Sequence, residues 1–281
     1  MQKRALAVHD LSCVGRCSLT VALPVLSAAG VNTAVLPTAL LSTHTGEFTG
    51  YTHLDLGDQL LPIARHLATL GLHYDAFYSG YLASCAQADQ LLSIIGMLCD
   101  AHTHVFVDPA FADHGRRYSL MEPDMPAAMR HLCRRARTIV PNLTEACYLL
   151  DRPYRADGLT EADVRSLAAG LAELGPENVV ITDVAFDDAQ TGVAVYQKET
   201  GDTRLLFRSR YDGVFHGTGD VFASFLLSAL LGGLPLLDAA TLALDCTHDS
   251  IQLTLQGGEP LRYGVQFERV LPKLMKALGI G

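Results

Sequence analysis

Late in the chain stands a pentapeptide with the residue types of an anion-binding turn, His216-Gly217-Thr218-Gly219-Asp220. Its two glycines let the backbone pass close to a ligand with N–H groups pointing outward. A helix expected over 221–231 adds the positive end of its dipole. Such a turn stabilises negative charge building on a transferring phosphoryl group or an oxyanion. Asp220, just inside the helix, can accept the proton of an attacking hydroxyl. The same residues also make an ordinary helix start, where Gly and Asp are common. A dinucleotide fingerprint is excluded, because Phe222 stands where its third glycine would be and the motif comes late. A P-loop is excluded too, since no G-x-x-x-x-G-K-[ST] occurs.

Two further clusters carry chemistry at the ends of expected strands. Pro141-Asn142-Leu143-Thr144-Glu145 follows a β-branched run at 138–140. Asn142 and Glu145 there suit hydrated Mg²⁺ on nucleotide phosphates, and equally form a capping box. Val107-Asp108-Pro109, with Asp113 beyond, ends the run at 105–107. It reads as a second oxygen-ligand site or as a turn rich in Asp and Pro. His102 and His104 lack a third ligand at a metal spacing.

The elements that must position these residues alternate short apolar runs with segments of helical period, which predicts a doubly wound α/β fold. Strands are expected at 5–8, 31–36, 76–78, 105–107, 138–140 and 179–182. Helices are expected at 18–29 and 160–174, the latter capped by Thr160 and stopped by Gly175-Pro176. Residues 192–196 and 204–208 predict an antiparallel pair. The last third, from Gly219, reads as helical with breaks near 232–233 and 257–258. Two polar stretches, 41–55 and 113–124, are longer than connectors need to be and suit binding loops or lids. No linker or repeat divides the 281 residues, so one domain over 1–281 is expected.

Bulk composition agrees with an enzyme of small molecules. Hydrophobic residues make up 49% and charged residues 18%, enough for a large core. A net charge of −9 disfavours nucleic acid, whose binding relies on clustered cations. The basic run from Arg130 to Arg137 reads as a solvated helix face. Seven cysteines without a C-x-x-C pair argue against disulfides and zinc. With no signal-peptide pattern and no apolar stretch of membrane-span length, the expected setting is the cytoplasm, away from any membrane.

Together the three clusters resemble, in their order along the chain, the ribokinase superfamily of small-molecule kinases. Leu41-Ser42-Thr43-His44-Thr45-Gly46 and Ser79-Gly80-Tyr81 are similar to elements of its vitamin B6 branch, the pyridoxal/pyridoxamine kinases. Val180-Ile181-Thr182 is similar to the strand whose Thr meets nucleotide phosphates. The resemblance implies a ribokinase-like fold, with a mostly parallel central sheet flanked by helices on both faces. It implies ATP-dependent phosphorylation of the 5′-hydroxymethyl group of pyridoxal, pyridoxamine or pyridoxine. Asp220 would be the base and Gly217, Thr218 and Gly219 the anion hole. Asp108, Asn142 and Glu145 would organise Mg²⁺ and phosphates, with Asp113, Thr182 and Tyr118 on the nucleotide side. His44, Thr45 and Tyr81 would meet the substrate, and residues 113–124 would form a lid. A homodimer and activation by a monovalent cation are implied as well. One departure stands out: relatives carry a Ser after the first strand to hold the pyridine ring, and here that place falls to Asp10, with Ser12 nearer the glycine turn. A kinase of hydroxymethylpyrimidine or of a sugar is the neighbouring alternative, and a non-catalytic vitamin- or nucleotide-binding regulator the more distant one.

Overall fold

The computed structural model describes residues 2–155 and 157–280. The first half runs β1 (Arg4–Ser12), α1 (Leu19–Ala28), β2 (Asn32–Leu41), β3 (His53–Asp55), α2 (Gly57–Thr69), β4 (Ala76–Ser79), α3 (Cys85–Leu98) and β5 (His104–Val107). The middle holds β6 (Ala112–Asp113), β7 (Arg116–Arg117), α4 (Met125–Cys133), β8 (Thr138–Ile139), α5 (Leu143–Leu149) and α6 (Glu161–Ala172). Then come β9 (Asn178–Val184), β10 (Gln190–Gln197), β11 (Asp202–Ser209), α7 (Thr218–Leu231), α8 (Leu236–Gly257) and α9 (Leu271–Ala277).

Nine strands form one sheet in the order β11-β10-β9-β8-β5-β4-β1-β2-β3. The six from β9 to β2 pair in parallel, while β3 at one edge and β10–β11 at the other are antiparallel. The central strands are buried on both faces, as a parallel sheet covered by helices must be. Along β1, Leu6 and Val8 point into a core shared with Leu60, Leu91, Met129 and Val164, from α2, α3, α4 and α6. Ala5 points the other way, toward Val25, Phe225, Ala243 and Leu274 from α1, α7, α8 and α9. Helices therefore cover both faces.

Some connectors hold more structure than the sequence suggests. The 41–55 stretch ends in β3, which pairs with Ala39–Leu41 of β2. The 113–124 stretch opens with the β6–β7 hairpin, turning through His114 and Gly115, both at positive φ. Such two-residue hairpins leave almost no alternating pattern to read. Among the described residues, no helix is long and apolar enough to cross a membrane.

Candidate active site

The parallel strands deliver most of the chemistry-bearing residues to their carboxyl ends, the edge where open α/β sheets bind ligands. Asp10 lies near the end of β1, Tyr81 just past β4, Asp108 just past β5, Asn142 just past β8 and Thr182 near the end of β9. Asn142 and Thr182 form a further parallel bridge there.

Gly217 takes the left-handed conformation, φ 75°, as N-cap of α7, and Asp220 sits in the first turn. Only glycine fits at 217, because a Cβ would run into the carbonyl oxygen of Arg16 in the β1–α1 loop. Arg16 is itself held by its backbone N–H on the Tyr263 carbonyl, 2.9 Å, and by ion pairs to Glu268 and Glu259. The loop is thereby clamped against the glycine turn. Burial raises the Asp220 carboxyl to about 7, against an opposing contribution from the Ser18 backbone N–H and with a further push from Asp10. That value suits a base working near neutral pH.

Asp10 is buried, and its carboxyl is raised by burial while the Ser18 and Ser12 hydroxyls pull it back. The Ser12 hydroxyl lies 3.4 Å from Asp10 Oδ2. Pairing of β1 with β2 slips here, so that Asp10 faces two residues, Thr38 and Ala39; such irregularities re-aim side chains beside active sites. Tyr81 is half-buried, and burial followed by the charge of Asp10 pushes its phenol up to about 12. Its carbonyl accepts the Thr38 hydroxyl at 3.1 Å. Buried Gln87, a residue no sequence pattern marks, ties the Thr38 carbonyl to the Asp55 carboxylate.

A second group of carboxylates gathers around α5. The predicted capping box is present: the Glu145 N–H donates to Asn142 Oδ1 at 2.9 Å and the Asn142 N–H to Glu145 Oε2 at 3.0 Å. Glu145 Oε1 also accepts the Phe111 and Ala112 N–H groups at 2.7 and 3.2 Å, and Asn142 Nδ2 donates to the Ala112 carbonyl at 2.7 Å. Asn142 and Glu145 are thus largely spent inside the protein. Asp108 is buried, and its carboxyl is held well above the ordinary range by burial, then by the charges of Glu145 and Asp220. Among the described residues, none of Asp10, Asp108, Glu145 and Asp220 is ion-paired. Asp108, Asn142 and Glu145 offer hard oxygen atoms, the donor type that Mg²⁺ takes.

The remaining predicted residues fall on two sides. Tyr118 is 39% exposed, yet burial of its hydroxyl and the charges of Glu145, Asp113, Asp108 and Asp220 hold its phenol far up. Asp113, His114 and Asp183 bring one ligand atom each within 4.8 Å of one another beside Thr182. On the other side, both ring nitrogens of His44 are engaged in the protein: Nε2 with the Arg262 carbonyl at 2.6 Å and Nδ1 with the Gly46 N–H at 3.2 Å. Its ring packs 4.9 Å from that of His216, which leads into the glycine turn. Thr45 is half-buried on the same loop. The sequence reading missed Ser18, Arg16 and Gln87, none of which carries a local signal, and it named His216 only as the residue that opens the glycine turn.

With this geometry in view, the sequence profile described as "Phosphomethylpyrimidine kinase" matches residues 22–263. A candidate phosphomethylpyrimidine kinase from Bacteroides thetaiotaomicron, crystallised with pyridoxal, is 36% identical with a TM-score of 0.93, covering 98% of this chain and 96% of that one. The pyridoxal kinase of Lactobacillus plantarum is 32% identical with a TM-score of 0.90, covering 99% and 98%. A pyridoxine/pyridoxal/pyridoxamine kinase of Bordetella avium is 30% identical over 271 residues, 88% of this chain and 86% of its own.

Proposed function

The chain belongs to the phosphomethylpyrimidine kinase family, and we propose that it is a vitamin B6 kinase, moving the γ-phosphate of ATP onto the 5′-hydroxymethyl group of pyridoxal, pyridoxamine or pyridoxine. The observation that carries this reading is the placement of Asp220 inside the Gly217–Gly219 turn, in a chain similar over nearly its whole length to a kinase crystallised with pyridoxal. Asp220 takes the hydroxyl proton as the 5′-oxygen bonds to the γ-phosphorus and the bond to the bridging oxygen of ADP breaks. The Gly217, Thr218 and Gly219 amides face the charge that builds on the phosphoryl oxygens. Asp108, Asn142 and Glu145 would hold Mg²⁺, which when bound neutralises phosphate charge.

Asp113, Thr182 and Tyr118 serve the nucleotide side in this reading, and the hairpin at 112–117 belongs to a lid that excludes water. Asp10, Ser12, Thr45 and Tyr81 meet the vitamin. His44 acts by fixing the 42–50 loop, since its ring nitrogens are occupied. A homodimer and a monovalent activator rest on the family resemblance, while a single kinase domain over 1–281 and a cytoplasmic setting rest on the sequence pattern alone. Sedimentation and a K⁺ titration test the dimer and the activator.

A coupled ADP-release assay with MgATP tests the assignment against pyridoxal, pyridoxamine, pyridoxine, hydroxymethylpyrimidine and sugars. The expected result is turnover fastest with a B6 vitamer. Preference for the pyrimidine or a sugar would move the chain to a neighbouring activity, and silence with every acceptor would make it a binding protein.

A further inference from the structure

Residues 42–50, the loop that carries Thr45, are half-buried or exposed throughout, so no core packing fixes where they lie. The base of the loop is closed by Ser42, whose N–H donates to the Thr52 carbonyl at 3.1 Å and whose hydroxyl accepts the Thr52 N–H at 2.9 Å. Beyond that base a row of rings holds it. Tyr263 lies 5.6 Å from Phe48, Phe48 is edge-on to His44 at 4.9 Å, and His44 packs on His216 at 4.9 Å. The Arg262 guanidinium covers both Phe48 and Tyr263. His44 is held in one tautomer: the Arg262 carbonyl can only accept and the Gly46 N–H can only donate, so the proton sits on Nε2 and the ring is neutral. His216, at the far end of the row, directly precedes Gly217. Its ring lies on the Gly46 backbone, where a Cβ would come within 2.6 Å of His216 Cε1. Its Nε2 is buried without a hydrogen-bond partner among the described residues, and the Glu47 carboxylate stands 3.6 Å away. Ring contact with His44 and Gly46 therefore joins His216 to the loop.

We propose that His216 is a positioning residue, whose ring sets the 42–50 loop against the glycine turn so that Thr45 and the Gly217–Gly219 amides meet one acceptor in register. This rests on the kinase reading of the same site. Anchoring of the loop by itself is already supplied by the Arg262 carbonyl on His44 and by Tyr263 on Phe48. What His216 adds is a direct tie from that loop to the residue next to Gly217. Gly46 is the other half of the tie, since any larger residue there would push the ring away.

The test is a double-mutant cycle with His216→Ala and Gly46→Ala, using MgATP and whichever alcohol wild type phosphorylates fastest. Gly46 is not in the left-handed region, so alanine there adds a Cβ without straining the backbone. Each single variant is expected to raise KM for the acceptor roughly fivefold to tenfold, the scale of losing one ring contact, with KM for ATP unchanged. A merely structural loss would lower the active fraction and hence kcat, leaving acceptor KM where it was. Added to His216→Ala, Gly46→Ala is expected to change acceptor KM less than about twofold, because the ring it would displace is gone. His216→Phe, which keeps a ring on His44, is expected to recover most of the affinity. Wild-type acceptor KM in both single variants, a full additional loss in the double variant, or His216→Phe as poor as His216→Ala would overturn the proposal. A wild type that prefers a pyrimidine would overturn the vitamin assignment alone, and one that phosphorylates no acceptor would overturn both.

Discussion

Gly80 lies with its Cα against the imidazole of His9, so closely that any Cβ at position 80 would overlap Nδ1. His9 is fully buried, its ring edge-on to Tyr78 with centroids 4.2 Å apart, and burial lowers its pKa to about 3, so it is neutral. The contact sets where the chain leaves β4 and hence where Tyr81 enters the site. Gly80→Ala is expected to destabilise the fold by about 1–3 kcal/mol, the usual cost of overpacking, and to lower Tm by several degrees. An unchanged melt would mean that the loop after β4 gives way freely.

Asp220→Asn should slow turnover by ~10²–10⁴-fold, the typical loss of general-base help, while KM for ATP stays near wild type. Near-wild-type kcat would remove Asp220 as the base. In the wild type, kcat/KM should rise with pH through about 7 and level off above it, since the base must be ionised. A flat profile between pH 5.5 and 8.5 would contradict this.

The same residue makes a stability prediction of opposite sign. Its carboxyl, at about 7 when folded against roughly 4 unfolded, binds its proton more tightly in the folded state. Its charge therefore costs nothing below about pH 4, and the cost accrues as pH rises toward neutrality. Asp220→Asn is neutral throughout, so it is expected to melt above wild type at pH 8 and to lose most of that advantage at pH 4. Equal melting at both values would show that the carboxyl is better solvated than its surroundings imply.

Glu145→Gln separates structure from metal binding. Three backbone N–H groups end on this carboxylate, and an amide presents one acceptor oxygen where the carboxylate presents two. A lower Tm is therefore expected, together with a higher Mg²⁺ concentration for half-maximal rate at saturating substrate. A lowered melt with an unchanged Mg²⁺ curve would confine Glu145 to its capping role.

Asp10→Asn is expected to raise KM for the vitamin by about tenfold or more, the scale of a hydrogen bond to a charged group, and to leave KM for ATP alone. Asp10→Ser, the residue the relatives' pattern leads one to expect, should recover part of the loss with pyridoxal. Equal kinetics for wild type and Asp10→Asn across the vitamers would take Asp10 out of the substrate's reach.

Local signals in the chain were enough for the fold and for the local geometry of two of the candidate clusters. Apolar runs such as 105–107 and 179–182 announce buried strands, and Thr160 with Asp163 announces α6, whose capping box is present. The G-T-G-D turn and the N-x-x-E pair are legible because their chemistry lies within one turn of chain, where spacing alone sets geometry. What only the tertiary structure decided is long-range. Arg16 meets Gly217 and Gly264 across some two hundred residues, His44 spends its ring on the Arg262 carbonyl, and Glu145 reaches the amides of Phe111 and Ala112. Nothing in the local pattern marks these contacts, because each depends on how β1, β5 and α7 stack their ends at one edge of the sheet. The raised pKa of Asp220 belongs to the same level: it follows from burial, and burial is a property of the packed whole.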